Sequence, residues 1–74
     1  MRLYDLKEGE AAVIERLALE ESFAVRLRDM GFCESERVSC VRLAAMKSPV
    51  IYRVKGSLVA LRKKDAERID VSYE

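Results

Sequence analysis

The clearest alternation of apolar and polar positions lies in the C-terminal third of the chain. Val50, Tyr52 and Val54 alternate with more polar residues, and this period of two predicts a strand with one buried face. Gly56 predicts a tight reversal after this strand, because glycine takes a positive φ at little cost. The apolar run 58–61 then pairs back. The pattern therefore predicts a β-hairpin with Tyr52 in the core.

The residues after this hairpin predict one helical turn and a closing strand. The charged run 62–68 contains one small apolar residue, Ala66, which suits a single turn with Ala66 facing inward. Ile69 and Val71 restore the alternation of a strand. The chain is therefore expected to end in a strand.

The N-terminal half predicts a strand and then a short helix. Residues 11–17 are typical of a strand, with Ile14 as a core residue. The helix follows, with Ser22 as its N-cap and with Gly31 as its stop signal. Three apolar residues at positions i, i+4 and i+7 form its expected inner stripe, namely Phe23, Leu27 and Met30.

A further strand is expected over residues 36–43, where Val38 and Cys40 share one face, before a loop over residues 44–48. The predicted order is β, α, β, β, β, turn, β. Five strands in 74 residues bury a common face only by curling into a small barrel. The fold class is therefore mostly β: a five-stranded barrel with one short helix after the first strand and one helical turn before the last.

Composition and charge narrow the class of function. The chain carries 14 basic and 13 acidic residues, a net charge of +1, which argues against a nucleic-acid binder. The densest basic group comprises Arg53, Lys55 and residues 62–64, and it suits either an acidic protein surface, lipid headgroups or simple solvation. No apolar run approaches the roughly 20 residues that span a bilayer, and no secretory signal is visible. We therefore expect a cytoplasmic protein.

Catalytic and metal-binding patterns are sparse. Histidine is absent, no serine or cysteine has an identifiable general base, and no phosphate-binding glycine loop is present, so no enzymatic activity is expected. Cys33 and Cys40 are seven positions apart, which is not the spacing of a zinc knuckle. Cys40 is expected in the core, and Cys33 is a weak metal candidate in a loop. No cofactor is expected, beyond weak binding of ferrous iron or zinc.

Three surfaces are candidates for binding a partner. The loop with Leu43, Ala45 and Met46 either projects toward a partner or folds back over the open end of the barrel, and the sequence favours neither interpretation. The helix face away from the apolar stripe is the second candidate, and the basic residues after the hairpin are the third. The charged residues proposed for these two surfaces are Arg26 and Arg28 on the helix, and Arg62 and Lys63 after the hairpin.

The order of these features resembles one family. The residues concerned are the run 26–32 (RLRDMGF), then Pro49, Gly56, Leu61-Arg62, Ala66, Ile69 and Val71, with Leu3, Leu6, Gly9 and Ile14 at matching spacing. Together they resemble the ferrous iron transport protein A (FeoA) family across nearly the whole chain, and the related SH3-like domain of some metal-dependent repressors. The resemblance implies one SH3-like barrel domain over residues 1–74.

The resemblance also implies a function. It implies a small cytosolic accessory protein that binds and modulates a bacterial ferrous iron transporter, through the GTP-binding domain on the transporter's cytoplasmic side. The alternative is a regulatory SH3-like domain of the repressor type or a nucleic-acid-associated small barrel, and the near-neutral charge favours the first. One departure is visible, because Glu34-Ser35 replaces the family's usual Pro-Gly pair. A positive φ suits serine poorly, so a longer or differently shaped loop is expected there.

Overall fold

The computed structural model describes residues 1–42 and 49–73. Its strands and helices follow the predicted order, which is confirmed. In chain order they are a 3₁₀ turn (Leu3–Asp5), β1 (Ala11–Leu17), α1 (Glu21–Asp29), β2 (Arg37–Arg42), β3 (Val50–Val54), β4 (Ser57–Leu61), α2 (Lys63–Ala66) and β5 (Ile69–Ser72). Within the described residues, no helix is both long and apolar enough to cross a membrane.

The strands form one antiparallel sheet in the order β4-β3-β2-β1-β5. The register shifts between Ile14 and Arg16 on β1, and again between Cys40 and Arg42 on β2. Such bulges bend a strand and increase its twist, so they help the sheet to curl around one core. The predicted curled, mostly β architecture is confirmed.

The inner face of the curled sheet forms a single apolar core. Val50, Tyr52 and Val54 are all buried, as their alternation predicts, and Cys40 is buried on β2. Burial raises the pKa of the Cys40 thiol, so this side chain behaves as a small apolar residue. The remaining buried apolar residues are Leu3, Leu6, Ala12, Ile14, Leu17, Ala24, Leu27, Phe32, Val38, Val59, Leu61, Ala66, Ile69 and Val71.

The end of α1 differs from the predicted inner stripe. Met30 is 46% exposed, because the helix ends at Asp29 and Gly31 turns the chain with φ +94°. The Phe32 N–H donates to the Leu27 carbonyl at 2.8 Å, and the Gly31 N–H donates to the Arg28 carbonyl at 2.9 Å. These two bonds are those of a Schellman motif, which satisfies the last carbonyls of a helix. Phe32 is therefore buried in the place predicted for Met30.

The start of α1 also differs from the prediction. The N-cap is Glu20 and not Ser22, because the Glu20 side chain accepts a hydrogen bond from the Ser22 N–H at 3.2 Å. Its other oxygen accepts from the Ser22 hydroxyl at 2.6 Å. These bonds to the Ser22 side chain and backbone lower the pKa of the Glu20 carboxyl. A carboxylate suits this position, since it accepts from orphan N–H groups and faces the positive end of the helix dipole.

The loop after α1 is a tight turn, so the expected longer or differently shaped loop is wrong. Ser35 has φ +74°, and the turn is closed by the Glu36 N–H, which donates to the Cys33 carbonyl at 3.2 Å. The Ser35 N–H also donates to the Ile14 carbonyl on β1 at 2.7 Å. Serine thus adopts the left-handed conformation that glycine favours, held there by hydrogen bonds on both sides.

Candidate partner-binding surfaces

The first surface predicted from the sequence is the apolar loop after β2. Leu43, Ala45 and Met46 lie outside the described residues, so the two interpretations of this loop stay predictions. The helix face and the basic residues after the hairpin both fall within the described residues.

Arg28 on the helix face makes close contacts within its own chain. Its Nη2 lies 3.1 Å from Glu34 Oε2, and its Nη1 lies 3.8 Å from Glu21 Oε1. The hydrogen bond to Glu34 is the main cause that raises the pKa of Arg28 and lowers the pKa of Glu34. Arg28 therefore joins α1 to the tight turn that follows it, and a partner would have to compete with Glu34 for its guanidinium group.

The other basic candidates lie beside aromatic rings. The Arg26 guanidinium lies 5.8 Å from the centre of the Phe23 ring, and Lys63 Nζ lies 5.5 Å from the centre of the Tyr4 ring. Both distances are within the range of cation–π attraction. Arg62 is exposed and precedes α2 as its N-cap. A groove of about 280 Å³ runs between the helices and is lined by Leu19, Glu20, Phe23, Lys64, Asp65 and Arg68.

Cys33, the weak metal candidate, is partly buried in the turn after α1. Its Sγ lies 3.6 Å from the Gly31 carbonyl oxygen. No group of three or more cysteine or carboxylate side chains placed to hold a metal ion occurs in residues 1–42 and 49–73. The prediction of at most weak metal binding is not tested by this geometry and stays a prediction.

The structure reveals an apolar surface that the sequence analysis did not single out. We call it the outer strip, and define it as Val41, Ile51, Leu58 and Ala60, on the face of β2, β3 and β4 that points away from the core. Leu58 is 57% exposed and Val41 is 40% exposed, and the strip lines a shallow groove of about 340 Å³. Ile51 lies opposite Ala60 in the sheet, so the strip is continuous across the β3–β4 hairpin.

Basic side chains flank the outer strip. Arg53 lies opposite Leu58 on one side and opposite Ser39 on the other, and Arg42 lies opposite Ile51. Neither Arg42 nor Arg53 has an ion-pair partner among the described residues, whereas Lys55 Nζ lies 3.1 Å from Glu36 Oε1. The densest basic group of the sequence is thus divided, with Arg53 beside the strip, Lys55 in the turn between β3 and β4, and residues 62–64 around the start of α2.

A signal for the outer strip was present in the sequence. Residues 57–61 read SLVAL, and Val59 and Leu61 alone are needed for the buried face of a strand. The period of two therefore leaves Leu58 and Ala60 on the outside, where polar residues are usual. When residues 58–61 are taken as a single apolar run, the outward positions of Leu58 and Ala60 are not recognised.

Comparison with protein families gives a match over almost the entire chain. The model of the FeoA domain matches residues 1–73. A Porphyromonas gingivalis protein described as an Fe(2+) transport protein A/Fe(2+) transporter FeoB fusion protein is 38% identical over 71 residues. The matched segment is 96% of this chain and 8% of that relative, so the chain spans less than a tenth of the fusion protein's length.

Solved structures of similar sequence share the fold. The solution structure of a FeoA protein from Chlorobium tepidum has a TM-score of 0.93 at 30% identity, covering 99% of this chain and 70% of that one. A zinc-complexed FeoA from Stenotrophomonas maltophilia, described as a prokaryotic SH3 domain protein, has a TM-score of 0.78 at 30% identity, covering 97% and 89%. The predicted SH3-like fold is confirmed.

A repressor also has a similar fold. A manganese-dependent transcriptional repressor gives a TM-score of 0.87 at 13% identity, and the match covers all of this chain and 41% of the repressor. At this low identity the likeness concerns the fold alone, since one fold hosts many functions. It therefore gives no support to the alternative repressor-type function.

Proposed function

Because this chain belongs to the FeoA family, we propose that it is a cytoplasmic accessory protein of bacterial ferrous iron uptake. In this role it binds the GTP-binding domain of the ferrous iron membrane transporter and modulates transport. The protein acts through a binding surface and not through catalysis, and metal ions bind to it weakly at most.

The fused relative is the observation that most supports this proposal. In the Porphyromonas gingivalis protein, a segment 38% identical to this chain is joined to a sequence described as the transporter FeoB. Fusion holds two modules at a high effective concentration, which favours even a weak contact between them. A separate chain of the same family needs a surface of its own to reach the transporter.

The charge distribution gives this chain suitable surfaces. Arg42 and Arg53 lie beside the outer strip, and the Arg26 and Lys63 side chains lie over aromatic rings near the two helices. Exposed basic groups next to apolar side chains favour rapid association with an acidic protein surface. The loop with Met46 remains a further candidate for the same role.

Ferrous iron uptake by cells tests the proposal. The initial rate of ferrous iron uptake is measured in the native host, with the gene for this chain present, deleted and restored. We expect the rate to change on deletion and to return on restoration. Deletion in a strain that lacks the transporter is the control and should have no effect. Equal uptake rates in all strains that contain the transporter would contradict the proposal.

A further inference from the structure

The two edge strands of the sheet differ in how their edges are covered. On β5, the Val71 N–H donates to the Met1 carbonyl at 2.7 Å, and Arg2 forms an isolated bridge with Asp70. The N-terminal segment therefore covers the β5 edge. On β4, no backbone hydrogen bond outside the β3–β4 ladder is made by Leu58 or Ala60 within the described residues.

The hairpin geometry determines which groups of β4 point outward. Lys55 and Gly56 form the two-residue turn of this hairpin. Their φ values are both positive, 48° and 79°, as the type I′ turns of tight hairpins require. The flanking residues Val54 and Ser57 are then a hydrogen-bonded pair, and pairing alternates along the ladder. The N–H and C=O groups of Leu58 and Ala60 consequently point away from β3, toward the side of β4 on which no described strand pairs.

The β4 edge also lacks the features that usually protect an exposed edge strand. Proteins commonly place lysine, proline or a bulge on such edges to prevent pairing with other chains. β4 has the sequence SLVAL, with no charged residue and no proline, and its register with β3 is regular from Ser57 to Leu61. Its outward side chains, Leu58 and Ala60, belong to the apolar outer strip.

We propose that the β4 edge is the site at which an extended partner segment adds to the sheet as a further strand, with apolar and acidic side chains alternating along the one face that it shares with the outer strip. The backbone of the segment pairs with the N–H and C=O groups of Leu58 and Ala60. On this face the side chain opposite Leu58 is a carboxylate that meets Arg53, and the side chain opposite Ala60 is apolar and extends the outer strip. This inference rests on the proposed function, because it gives that function a contact surface.

Charge explains why the partner is acidic and not a second copy of this chain. An added strand lies two strand spacings, roughly 10 Å, from β3, and a long arginine side chain reaches across Leu58 toward it. Arg53 has no ion-pair partner among the described residues, so an acidic side chain on the segment gains a new ion pair. Two copies paired through β4 would instead place the uncharged side chains of a second β4 beside the first, so Arg53 would gain no ion pair.

A synthetic peptide with the repeat Val-Thr-Glu-Thr, which places valine and glutamate alternately on one face of a strand, provides the first test. Hydrogen exchange of the Leu58 and Ala60 amides is followed by NMR as the peptide is added to the full chain. We expect both amides to exchange fast without peptide and to become protected with it, and the affinity to fall as salt is raised. A peptide with lysine in place of glutamate should bind at least about tenfold more weakly. Protection confined to other elements, or equal binding of both peptides, would overturn the proposal.

The decisive variant is Ala60→Pro, with Ala60→Val as its control. Proline removes an outward N–H without removing a bond of the β3–β4 ladder, and proline is tolerated in this way on edge strands. Ala60→Pro should weaken peptide binding at least about tenfold, whereas Ala60→Val should bind like the parent. A folded Ala60→Pro protein that binds like the parent would overturn the proposal.

A charge variant keeps the proposal testable if Ala60→Pro does not fold. Arg53→Glu reverses an exposed charge beside the strip, and Lys64→Glu makes the same change on α2. We expect Arg53→Glu to lose binding and Lys64→Glu to keep it. Protection of β4 that grows with protein concentration, without peptide, would instead indicate pairing of two copies and would overturn the proposal.

The same variants separate this inference from the proposed function. If the transporter's GTP-binding domain binds the parent and Ala60→Pro equally well, the β4 site is wrong and the accessory function stands. If that domain does not bind the parent, while the acidic peptide binds the parent and not Ala60→Pro, the β4 site stands and transporter binding is wrong.

Discussion

The guanidinium group of Arg28 donates two hydrogen bonds to the carboxylate of Glu34, from Nε to Oε1 at 3.3 Å and from Nη2 to Oε2 at 3.1 Å. This bidentate pair joins the last turn of α1 to the tight turn that leads to β2. Planar pairs of this kind are stronger than single ion pairs because two parallel bonds fix the geometry. The pair therefore helps to hold Ser35 in its left-handed conformation.

Replacing Glu34 by glutamine should make the free energy of unfolding depend less on pH in the acid range. The pKa of Glu34 in the folded protein is below its ordinary value of 4.5, so its contribution to stability is present above that value and is lost as the pH falls through the folded pKa. Glu34→Gln should be less stable than the parent at neutral pH, and the difference should close in acid. Thermal unfolding at a series of pH values measures this difference.

The control is the same substitution in an Arg28→Met background. Without its guanidinium partner, Glu34 loses the main cause of its lowered pKa, so Glu34→Gln should there produce little pH-dependent difference. An equally large pH-dependent difference in both backgrounds would show that Arg28 does not stabilise the Glu34 carboxylate.

Ser35→Gly should stabilise the protein. A non-glycine residue in the left-handed region costs about 1–2 kcal/mol, and Ser35 has φ +74°. The greater freedom of glycine in the unfolded chain offsets part of this gain, which leaves a net gain of about 0.5–1 kcal/mol. Urea denaturation measures the change. Ser57→Gly, in strand β4, is the control and should lower the free energy of unfolding. If Ser35→Gly also lowers it, the claim that Ser35 is strained at this turn is contradicted.

The core and exposed positions of α1 should respond differently to truncation. Leu27 is buried, so Leu27→Ala should lose about 2–5 kcal/mol of unfolding free energy. Met30 is 46% exposed at the end of the same helix, so Met30→Ala should change stability by less than about 0.5 kcal/mol. Denaturant unfolding of the two variants compares them directly. A large loss of unfolding free energy in Met30→Ala would contradict this exposed placement and show that Met30 packs in the inner stripe.

The sequence predicted the elements whose period is clear and missed those that depend on local hydrogen bonds. Alternation placed Val38, Cys40 and Tyr52 in the core correctly, because each lies in a strand with one buried face. The stripe of α1 was wrong at Met30, since a Schellman motif ends the helix and buries Phe32 in its place. Residue types alone do not show where such a motif closes.

The surfaces were harder to predict than the core, for a related reason. Arg28 is only partly exposed because it pairs with Glu34, and that pairing depends on the tight turn at Ser35, which the sequence did not indicate. The open edge at Leu58 depends on strand order, because β4 is an edge strand only once β5 is known to pair with β1. Pairing between distant strands is not encoded in a local pattern.

Metal binding should be weak. No preorganised set of three or four ligands is apparent in the sequence, so we expect ferrous iron or zinc to bind no more tightly than about 10 μM. Anaerobic calorimetry with each metal measures the affinity, and Cys33→Ser should leave it nearly unchanged. A stoichiometric submicromolar site that disappears in Cys33→Ser would make Cys33 a metal ligand and contradict this prediction.

Direct binding to the transporter tests the central claim. The purified GTP-binding domain of the ferrous iron transporter encoded in the same genome is titrated with the full chain in a calorimeter, at low and at high salt. We predict saturable binding at one chain per domain, weaker at high salt because the contact includes basic side chains. Absence of binding at both salt concentrations, with a folded chain and a nucleotide-competent domain, would contradict the claim that this protein docks on the transporter.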